Sequence, residues 1–471
     1  MTTPIRVRFA PSPTGFMHVA NVRVALLNWL FAKKHQGTFV LRIEDTDQNR
    51  LLDPDGQQIQ KDLVWLGLGY DKGPFFQSQH TKLYQEHLDI LIKKGLVYPC
   101  FCTQEHLERK RTLQIAAGKP PRYDRSCMAL SPDQIDALKQ KGTPCIWRLR
   151  VPHKQIVIKD IARGEVQYDL SHFSDCSLTR ADGSFTFIFA NFVDDLTSKI
   201  SHVIRGEDHL TNTAHQAVLY EMFDTPIPVF YHVPLMVNRE GKKLSKREFG
   251  TSLKDLSAAG FLPDAILNYL GIISLSLKEE VLSREQLIHV IPFDQTISTS
   301  SIHYDLEKLR WINQKWIQKL SLPQVQTALT PFFEAQLIDT STIPHEKLER
   351  VLTLIQPELH TLAEAPEKLK FMVSDPSFDT ETLLAQLQTL GITKESARAL
   401  CNLDTAASSA EAIIAALQAR AKELVVSNKQ LFQFIRLVLT GSASGIGIKD
   451  LCVLLDLQTI ARRFENMKSV L

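Results

Sequence analysis

Residues 8–21 combine a stiff turn with a histidine placed just before a predicted helix. Pro11 and Pro13 restrict the chain, and His18 precedes the helix, which we expect from about residue 21 to residue 35. The free backbone N–H groups and the positive end of a helix at such a turn attract an anion, most often a phosphate. The turn lacks the glycine spacing of dinucleotide-binding loops and the Gly-Lys-Ser/Thr of a P-loop, so it predicts a phosphate site of another kind.

A second cluster of charges lies in residues 243–247, where three cations surround one hydroxyl. The cations are Lys243, Lys246 and Arg247, and the hydroxyl is that of Ser245. A glycine on either side of the segment favours a flexible loop, which can close over a polyphosphate and neutralise charge that develops during phosphoryl or nucleotidyl transfer. Short lysine and serine runs are common on surfaces, but the phosphate-type turn in the same chain favours a nucleotide site.

Four polar side chains fall at or near the ends of predicted strands: Arg8, Glu44, Asn191 and Arg205. A carboxylate can bind a substrate ammonium, and an arginine fork can bind a carboxylate. Because open α/β sheets bind ligands at the carboxyl ends of their strands, these residues are candidates for substrate contacts. Ordinary ion pairing at strand ends is the alternative.

Three cysteines could hold a zinc ion. Cys100, Cys102 and Cys127 supply three thiolates near basic residues, which are good soft ligands. A tetrahedral site needs a fourth ligand, and Tyr123 is the nearby oxygen donor with suitable spacing. Reduced, half-buried cysteines are an alternative of equal weight.

The elements that would position these residues alternate between strand and helix near the N-terminus. A strand at residues 5–9, the first helix and a strand at residues 38–43 form a βαβ unit, which predicts a parallel sheet. Further elements of this pattern are predicted as strands at residues 185–190, 202–205 and 229–236 and as a helix from about residue 212 to residue 223.

Residues from about 72 to 182 interrupt this pattern and fit an insertion that leaves the sheet and returns to it. Between residues 93 and 125 basic side chains outnumber acidic ones, which fits a solvated helical face and a nucleic-acid contact surface about equally. After about residue 252 the pattern is mostly helical. We find no internal repeat and no low-complexity tract.

Composition excludes several classes of protein. The 471 residues are 44% hydrophobic and 23% charged, which is ordinary for a globular protein of about three to five domains. The sequence has no run of about twenty apolar residues, so no membrane span is predicted. The N-terminal residues predict a strand rather than a signal peptide, and seven cysteines, an odd number, indicate reduced thiols or a metal site. A cytoplasmic protein is therefore expected.

Five segments in the same order carry a family resemblance. They are residues 8–15, 41–47, 203–209, 243–247 and 304–311. Over nearly its whole length the chain resembles the bacterial glutamyl-tRNA synthetases, which are class I aminoacyl-tRNA synthetases.

The resemblance implies an α/β Rossmann-like catalytic core with an inserted α+β domain, followed by all-α C-terminal anticodon-binding domains. The implied segments are the two halves of the core at residues 1–75 and 185–250, an acceptor-stem-binding insertion at 76–184, a stem-contact domain at 251–320, and helical anticodon-binding domains at 321–375 and 376–471. The chain would grip RNA by local basic patches, because its net charge is only +2.

The resemblance also implies a two-step reaction. Glutamate attacks the α-phosphate of ATP, which is bound with Mg²⁺, to give glutamyl-adenylate and pyrophosphate, and the terminal ribose of tRNA then takes the glutamyl group. The implied catalytic residues are His18, Lys243 and Lys246. The implied ATP contacts are Ser12, Thr14, His18, Asn21, Asp208, Leu235, Met236, Ser245 and Lys246. The implied glutamate pocket consists of Arg8, Ala10, Ser12, Glu44, Phe187, Asn191 and Arg205, with Glu44 on the amino group and the arginines on carboxylates.

The implied partners are L-glutamate, ATP and tRNA(Glu), in a monomer that does not bind membranes. Pro357 and Glu358 lie where some members restricted to tRNA(Glu) place an arginine, so charging of tRNA(Gln) is also open. The pattern of Cys100, Cys102, Tyr123 and Cys127 matches the zinc site of some members, which leaves Zn²⁺ open as a second metal.

Three departures from the family pattern raise alternatives. Ala20 stands where glycine is usual beside His18, Phe187 where tyrosine is frequent, and Ala129 where some members carry a histidine near the zinc cysteines. The extra methyl group of Ala20 supports the alternative of a paralogue that binds tRNA with weak or no aminoacylation. Glutaminyl-tRNA synthetase is a further hypothesis, against which the helical C-terminal half argues.

Overall fold

The computed structural model describes residues 4–46, 52–53, 55–244, 248–275, 277–293, 297–403 and 409–471. The chain divides into two compact units. Unit 1 consists of Met1–Leu256 and Ile266–Leu306, and unit 2 consists of Ser257–Ala265 and Glu307–Leu471.

Unit 1 begins with a three-stranded parallel sheet that has helices between its strands. Its elements are β1 (Arg6–Phe9), α1 (Val19–Lys34), β2 (Thr38–Ile43), α2 (Gln57–Leu66) and β3 (Lys72–Phe76). Strand β2 lies in the middle, with Val40 beside Arg8 of β1 and Arg42 beside Phe75 of β3. The predicted βαβ unit is therefore confirmed.

Helix α1 begins two residues earlier than predicted, because His18 caps it. The Nδ1 atom of His18 accepts a hydrogen bond from the backbone N–H of Ala20 at 3.2 Å. This bond satisfies one of the N–H groups that the first turn of a helix leaves without a partner. Most of the helix is buried, which places its N-terminal end inside unit 1.

The segment predicted as an insertion contains both helices and strands. Its elements are α3 (Thr81–Lys93), β4 (Val97–Cys100), α4 (Gln104–Ala116), α5 (Pro132–Gln140), β5 (Ile146–Leu149), β6 (Gln155–Asp160) and β7 (Gly164–Asp169). Strands β4 and β5 pair in antiparallel fashion with Cys100 opposite Ile146, and β6 and β7 form a second antiparallel pair. This mixture agrees with the predicted α+β composition.

A second sheet completes the core of unit 1. The elements that follow the insertion are α6 (Phe187–Thr197), β8 (His202–Gly206), α7 (Leu210–Met222), β9 (Val229–Val233) and β10 (Met236–Val237). The strand order is β7-β6-β9-β8, and β9 is parallel to both β6 and β8. The backbone N–H of Ser201 donates to the carbonyl of Arg6 at 3.0 Å, so β8 starts beside β1. A gap between strand carboxyl ends at such a junction is where α/β sheets bind ligands.

The prediction of a strand at residues 185–190 is wrong. Helix α6 starts at Phe187, and its residues Phe189 and Phe192 are fully buried. A short, continuous apolar run does not distinguish a buried strand from a buried helix, and packing on several sides favours the helix here. Asn191 therefore lies on a helix and not at a strand end.

The predicted strand at residues 229–236 is divided. Strand β9 ends at Val233 and β10 starts at Met236. Pro234 lies between them, and proline cannot donate the backbone hydrogen bond that a continuous ladder needs.

The rest of the chain is mostly helical, as predicted. The elements that follow β10 are α8 (Leu253–Ala258), α9 (Pro263–Leu275), α10 (Arg284–Val290) and β11 (Ile302–His303). They are followed by α11 (Leu306–Lys319), α12 (Leu322–Ala335), α13 (His345–Ile355), α14 (Ala365–Leu369), α15 (Thr380–Leu390), α16 (Lys394–Leu400), α17 (Ala410–Glu423), α18 (Asn428–Thr440), α19 (Ile448–Leu454) and α20 (Leu457–Val470). One apolar core, centred on residues such as Val351, Phe434 and Phe464, runs through these last ten helices. None of the helices in the described part of the chain is long and apolar enough to cross a membrane.

Buried ion pairs join the first strands of unit 1 to helix α6. Asp195, near the end of α6, accepts from Nε of Arg8 at 3.1 Å and from Nη1 of Arg42 at 2.6 Å. Burial acts to raise the pKa of Asp195, but the two guanidinium groups outweigh it and hold that pKa below its ordinary value. One carboxylate thus ties β1 and β2 to a helix more than 150 residues later in the chain.

Asp195→Asn should destabilise unit 1 strongly, because it leaves two buried guanidinium groups without the charge between them. The expected loss is about 3–5 kcal/mol in the free energy of unfolding, measured by urea titration with tryptophan fluorescence. The matched control is Asp136→Asn on α5, where the side chain is exposed. The control should stay within about 0.5 kcal/mol of the parent. Equal stabilities for the two variants would contradict the role given to Asp195.

Candidate active site

The predicted nucleotide and glutamate residues line one cleft in unit 1. The cleft has a volume of about 710 Å³ and lies at the carboxyl ends of β1, β2 and β8. The predicted residues along it are Arg8, Ala10, Ser12, Thr14, His18, Asn21, Glu44, Phe187, Asn191, Arg205, Asp208, Leu235, Met236 and Lys243. Ser245 and Lys246 lie outside the described residues. The sequence analysis therefore assigned to one site side chains that lie far apart in the sequence. Arg8 and Lys243, for example, are about 235 positions apart.

The phosphate-type turn is attached to the segment that follows the basic loop. The backbone N–H of Val19 donates to the carbonyl of Thr251 at 2.9 Å, and the N–H of Leu253 donates to the carbonyl of Met17 at 2.9 Å. These bonds bring His18 opposite Ser252 in a short antiparallel bridge. The phosphate-type turn is thus joined to residues 251–253, shortly after the second basic motif in the sequence.

Arg205 projects from β8 as a buried cation. Its side chain is only 6% exposed, and Nη2 donates to Oγ1 of Thr213 at 2.6 Å. Its Nε and Nη1 atoms are buried and have no hydrogen-bond partner among the described residues. Burial, followed by the neighbouring charge of Arg8, lowers the pKa of Arg205 to about 9. This guanidinium therefore favours an anionic ligand in the cleft.

Glu44 is a buried carboxyl group that lines the same pocket. Its Oε1 atom accepts from Nδ2 of Asn191 at 2.8 Å and from Nη2 of Arg42 at 3.3 Å. The amide oxygen of Asn191 in turn accepts from Nε2 of Gln216 at 2.9 Å, which fixes the orientation of the amide. Burial raises the pKa of Glu44 in spite of these partners, so a cation bound in the cleft would stabilise the ionised carboxylate.

Phe187 forms part of the wall beside Arg205. It lies on the first turn of α6, and its ring centroid is 5.0 Å from that of His209. Burial, followed by the charge of Arg205, lowers the pKa of His209 to about 4, so this ring is neutral at pH 7. Two uncharged rings therefore border the charged groups of the pocket.

The segment at the other end of the cleft is held by a buried arginine and a partly buried glutamate. The carbonyl of Pro234 accepts from Nη1 of Arg23 at 2.6 Å, and the N–H of Leu235 donates to Oε1 of Glu207 at 2.8 Å. Lys243 reaches Oδ2 of Asp208 at 3.5 Å, a weak contact between exposed side chains. The backbone at residues 234–236 is therefore fixed, whereas Lys243 can change partner.

Several residues that support the cleft were missed by the sequence reasoning. They are Arg23, Arg42, Asp195, Glu207 and Gln216. A charged residue inside an apolar stretch is the signal that could have found Arg23 and Arg42. Arg42 lies between the buried residues Leu41 and Ile43, and such a side chain needs a buried partner.

The predicted zinc residues form a separate cluster in the insertion. The sulfur atoms of Cys100, Cys102 and Cys127 all lie within 4.8 Å of one another. The hydroxyl of Tyr123 is 3.3 Å from Sγ of Cys100 and 3.6 Å from Sγ of Cys102. The four donor atoms therefore converge, as the sequence pattern predicted, and all seven cysteines of the chain are free thiols.

The chain matches known protein families along both of its halves. Residues 4–311 match the catalytic domain of the class I tRNA synthetases (E and Q), and residues 324–468 match an anticodon binding domain.

Individual relatives agree with these matches. The glutamate–tRNA ligase of Sulfurihydrogenibium sp. (strain YO3AOP1) is 35% identical over 98% of both chains, and that of Synechococcus sp. (strain JA-3-3Ab) is 36% identical over 94% of both. A crystal structure of a glutamate tRNA ligase from Elizabethkingia meningosepticum, in complex with its amino acid, covers 100% of both chains with a TM-score of 0.83 and 27% identity. Four of its five motifs contribute residues to one cleft, and the family matches cover nearly the whole chain, so the chain belongs to the glutamate–tRNA ligases, within the class I tRNA synthetases.

Proposed function

We propose that the chain activates L-glutamate with ATP and Mg²⁺ in the cleft and transfers the glutamyl group to the terminal ribose of tRNA(Glu). The observation that carries this proposal is the buried guanidinium of Arg205, which has two N–H groups without a partner among the described residues. A buried cation that lacks hydrogen-bond partners is stabilised by an anionic ligand. The side-chain carboxylate of glutamate is such a ligand.

The charges of the pocket match the two ends of glutamate. Arg205 and Arg8 bind carboxylate oxygens, and Glu44 binds the ammonium group. Ala10, Ser12, Phe187 and Asn191 complete the glutamate pocket. Glutamine would put a neutral amide against Arg205 and leave a buried charge uncompensated, so the pocket selects glutamate.

The other end of the cleft accommodates ATP. Ser12, Thr14, His18 and Asn21 lie at the turn and the N-terminal end of α1, which favours a phosphate. Asp208, Leu235 and Met236 border the adenosine. Lys243 and Lys246 supply positive charge to the phosphates, and Ser245 supplies a hydroxyl that can donate a hydrogen bond to them. When bound, Mg²⁺ neutralises part of the negative charge of the triphosphate.

The protein promotes the reaction by position and charge. A carboxylate oxygen of glutamate attacks the α-phosphorus of ATP, the bond to the bridging oxygen breaks, and pyrophosphate leaves. A ribose hydroxyl of tRNA then attacks the carbonyl carbon of glutamyl-adenylate, and AMP leaves. His18, Lys243 and Lys246 stabilise the charge that develops on the phosphates, and no side chain has to form a covalent bond.

The alternative of a disabled paralogue has no support among the relatives, because those reported above are named glutamate–tRNA ligases. Ala20 lies on the cleft, and its N–H donates to His18. We propose that its methyl group is accommodated at the start of α1 without loss of ATP binding.

We propose that the chain charges tRNA(Gln) as well as tRNA(Glu). In unit 2, Glu358 accepts from Nζ of Lys368 at 2.9 Å, and Pro357 accepts from Nε2 of Gln314 at 2.8 Å. An acidic side chain already paired within unit 2 takes the place where an arginine would read the anticodon. Without that arginine, discrimination between the two anticodons is weaker.

Charging assays with labelled glutamate test this function and its tRNA range. Purified tRNA(Glu) and tRNA(Gln) should each accept glutamate from the parent enzyme, in a reaction that requires ATP, and neither should accept labelled glutamine. Arg205→Gln should lower the rate at least about 100-fold, because the substrate carboxylate loses its charged partner. The control Arg150→Gln, an exposed arginine beyond β5, should charge at the parental rate.

Each outcome of these assays has one meaning. No charging of any tRNA with glutamate would overturn the proposed function. Charging of tRNA(Glu) alone would overturn only the proposal for tRNA(Gln). A parental rate for Arg205→Gln would overturn the role of Arg205.

We propose a zinc ion in the cysteine cluster. The donor set of Cys100, Cys102, Cys127 and the hydroxyl of Tyr123 fits a tetrahedral structural site, because its four atoms lie close together. When bound, zinc would cross-link β4 to the segment around residue 127.

Elemental analysis of the purified protein should find about one zinc per chain. Cys127→Ser should reduce the zinc content to near zero, because three donors are too few for a closed site. Cys452→Ser, which changes a thiol far outside the cluster, should leave the zinc content unchanged. A parent protein without zinc would favour the alternative of reduced thiols.

We also propose a monomer that works in the cytoplasm, where tRNA is charged. We further propose that the six segments implied by the family resemblance, from residues 1–75 to residues 376–471, are the functional domains of the chain.

A further inference from the structure

Arg205 is held by a chain of buried side chains from four elements of unit 1. Its Nη2 atom donates to Oγ1 of Thr213 on α7 at 2.6 Å. The same oxygen lies 2.7 Å from Nε2 of His232 on β9, and Nδ1 of His232 lies 2.6 Å from Oδ2 of Asp160 at the end of β6. Thr213 and His232 are fully buried, and the Asp160 side chain is too.

The far end of this chain is an ionised carboxylate. Besides His232, Asp160 accepts hydrogen bonds from the backbone N–H groups of Ala162 and Arg163, each at 2.9 Å. Burial acts to raise the pKa of Asp160, but the hydrogen bond from His232 and these N–H groups outweigh it and lower that pKa. Because an ionised carboxylate only accepts, Nδ1 of His232 must carry a proton and donate it.

The proton on Nδ1 of His232 fixes which atoms donate and which accept along the hydrogen bonds from Asp160 to Arg205. Burial lowers the pKa of His232, so the ring is neutral at pH 7 and its Nε2 is an acceptor. The hydroxyl of Thr213 can donate to Nε2 or to the carbonyl of His209 at 3.1 Å. The shorter bond satisfies a buried nitrogen, and the lone pairs of Oγ1 then remain for Arg205.

The strand register supports the same arrangement. Arg205 of β8 and His232 of β9 are direct neighbours in the parallel sheet, so the backbone itself sets their separation. Arg205 also lies over the ring of Phe230 at 5.3 Å. The guanidinium is therefore fixed on one side by the sheet and on the other by Thr213.

We propose that Thr213, oriented by His232 and Asp160, is a positioning residue that holds Arg205 by a neutral contact and leaves its charge available for the side-chain carboxylate of the substrate. An acidic residue at this position would hold the guanidinium equally well, but it would neutralise the charge. Thr213 orients the guanidinium of Arg205 without neutralising its charge. The side chains of Thr213 and His232 separate that guanidinium from the negative charge of Asp160. This inference rests on the proposed role of Arg205 in glutamate binding.

The test compares the KM for glutamate with the KM for ATP in tRNA-dependent pyrophosphate exchange. Thr213→Val keeps the shape of the side chain but removes the acceptor, so the KM for glutamate should rise about tenfold or more. The KM for ATP should stay within about twofold, because the adenosine end of the cleft is unchanged. Thr213→Ser restores the hydroxyl and should return the KM for glutamate to near the parental value.

The matched control is Thr211→Val, which changes an exposed threonine on the same helix and should leave both constants unchanged. If Thr213→Val does not accumulate in folded form, Thr213→Ala removes the same acceptor without adding a methyl group beside the guanidinium. An unchanged KM for glutamate, or an equal rise of both constants, would overturn the proposal. Arg205→Gln serves as the reference: if it leaves the KM for glutamate unchanged while the parent exchanges pyrophosphate, the role of Arg205 fails and the reaction itself stands.

Discussion

The carboxylate of Asp195 between Arg8 and Arg42 is the contact on which the rest of the catalytic core depends. It joins the first and second strands of the chain to a helix that follows the insertion, and all three side chains are buried. Removing charges from water costs free energy that is recovered only when the partners are well placed. The two halves of the core must therefore meet in one register, and that register also brings the ends of β1, β2 and β8 to the same cleft.

Because the ion pairs around Asp195 balance their own charges, the charge of Arg205 is left available for a ligand. Asp194 and Asp195 together compensate Arg8 and Arg42, whereas Arg205 has a threonine as its hydrogen-bond partner. Glu44 accepts from an amide and from Arg42, but burial raises its pKa, so a bound cation would stabilise its ionised form. A ligand with a carboxylate at one end and an ammonium at the other completes the balance. The unpaired guanidinium of Arg205 therefore supports the proposal that the pocket selects an amino acid with an acidic side chain.

Much of this site could be predicted from the sequence, but the contacts that support it could not. Arg8, Glu44 and Arg205 end strands, and parallel strands bring such residues to one edge. The sequence predicts Asn191 at a strand end, because the phenylalanines before it form an apolar run that fits both a strand and a buried helix. Its amide still donates to Glu44, since the N-terminal half of α6 lines the same cleft. The pairing of Asp195 with Arg42 spans 153 positions and leaves no local pattern, so only the folded chain reveals it.

The central claim is that the cleft recognises the side-chain carboxylate through the uncompensated charge of Arg205. Isothermal titration with two stable analogues of the adenylate intermediate, glutamol-adenylate and glutaminol-adenylate, tests it most directly, because the ligands differ only in a side-chain carboxylate or amide. The account predicts that glutamol-adenylate binds at least about 100-fold more tightly, since the amide leaves a buried cation without its counter-charge. Equal affinities for the two analogues would contradict it.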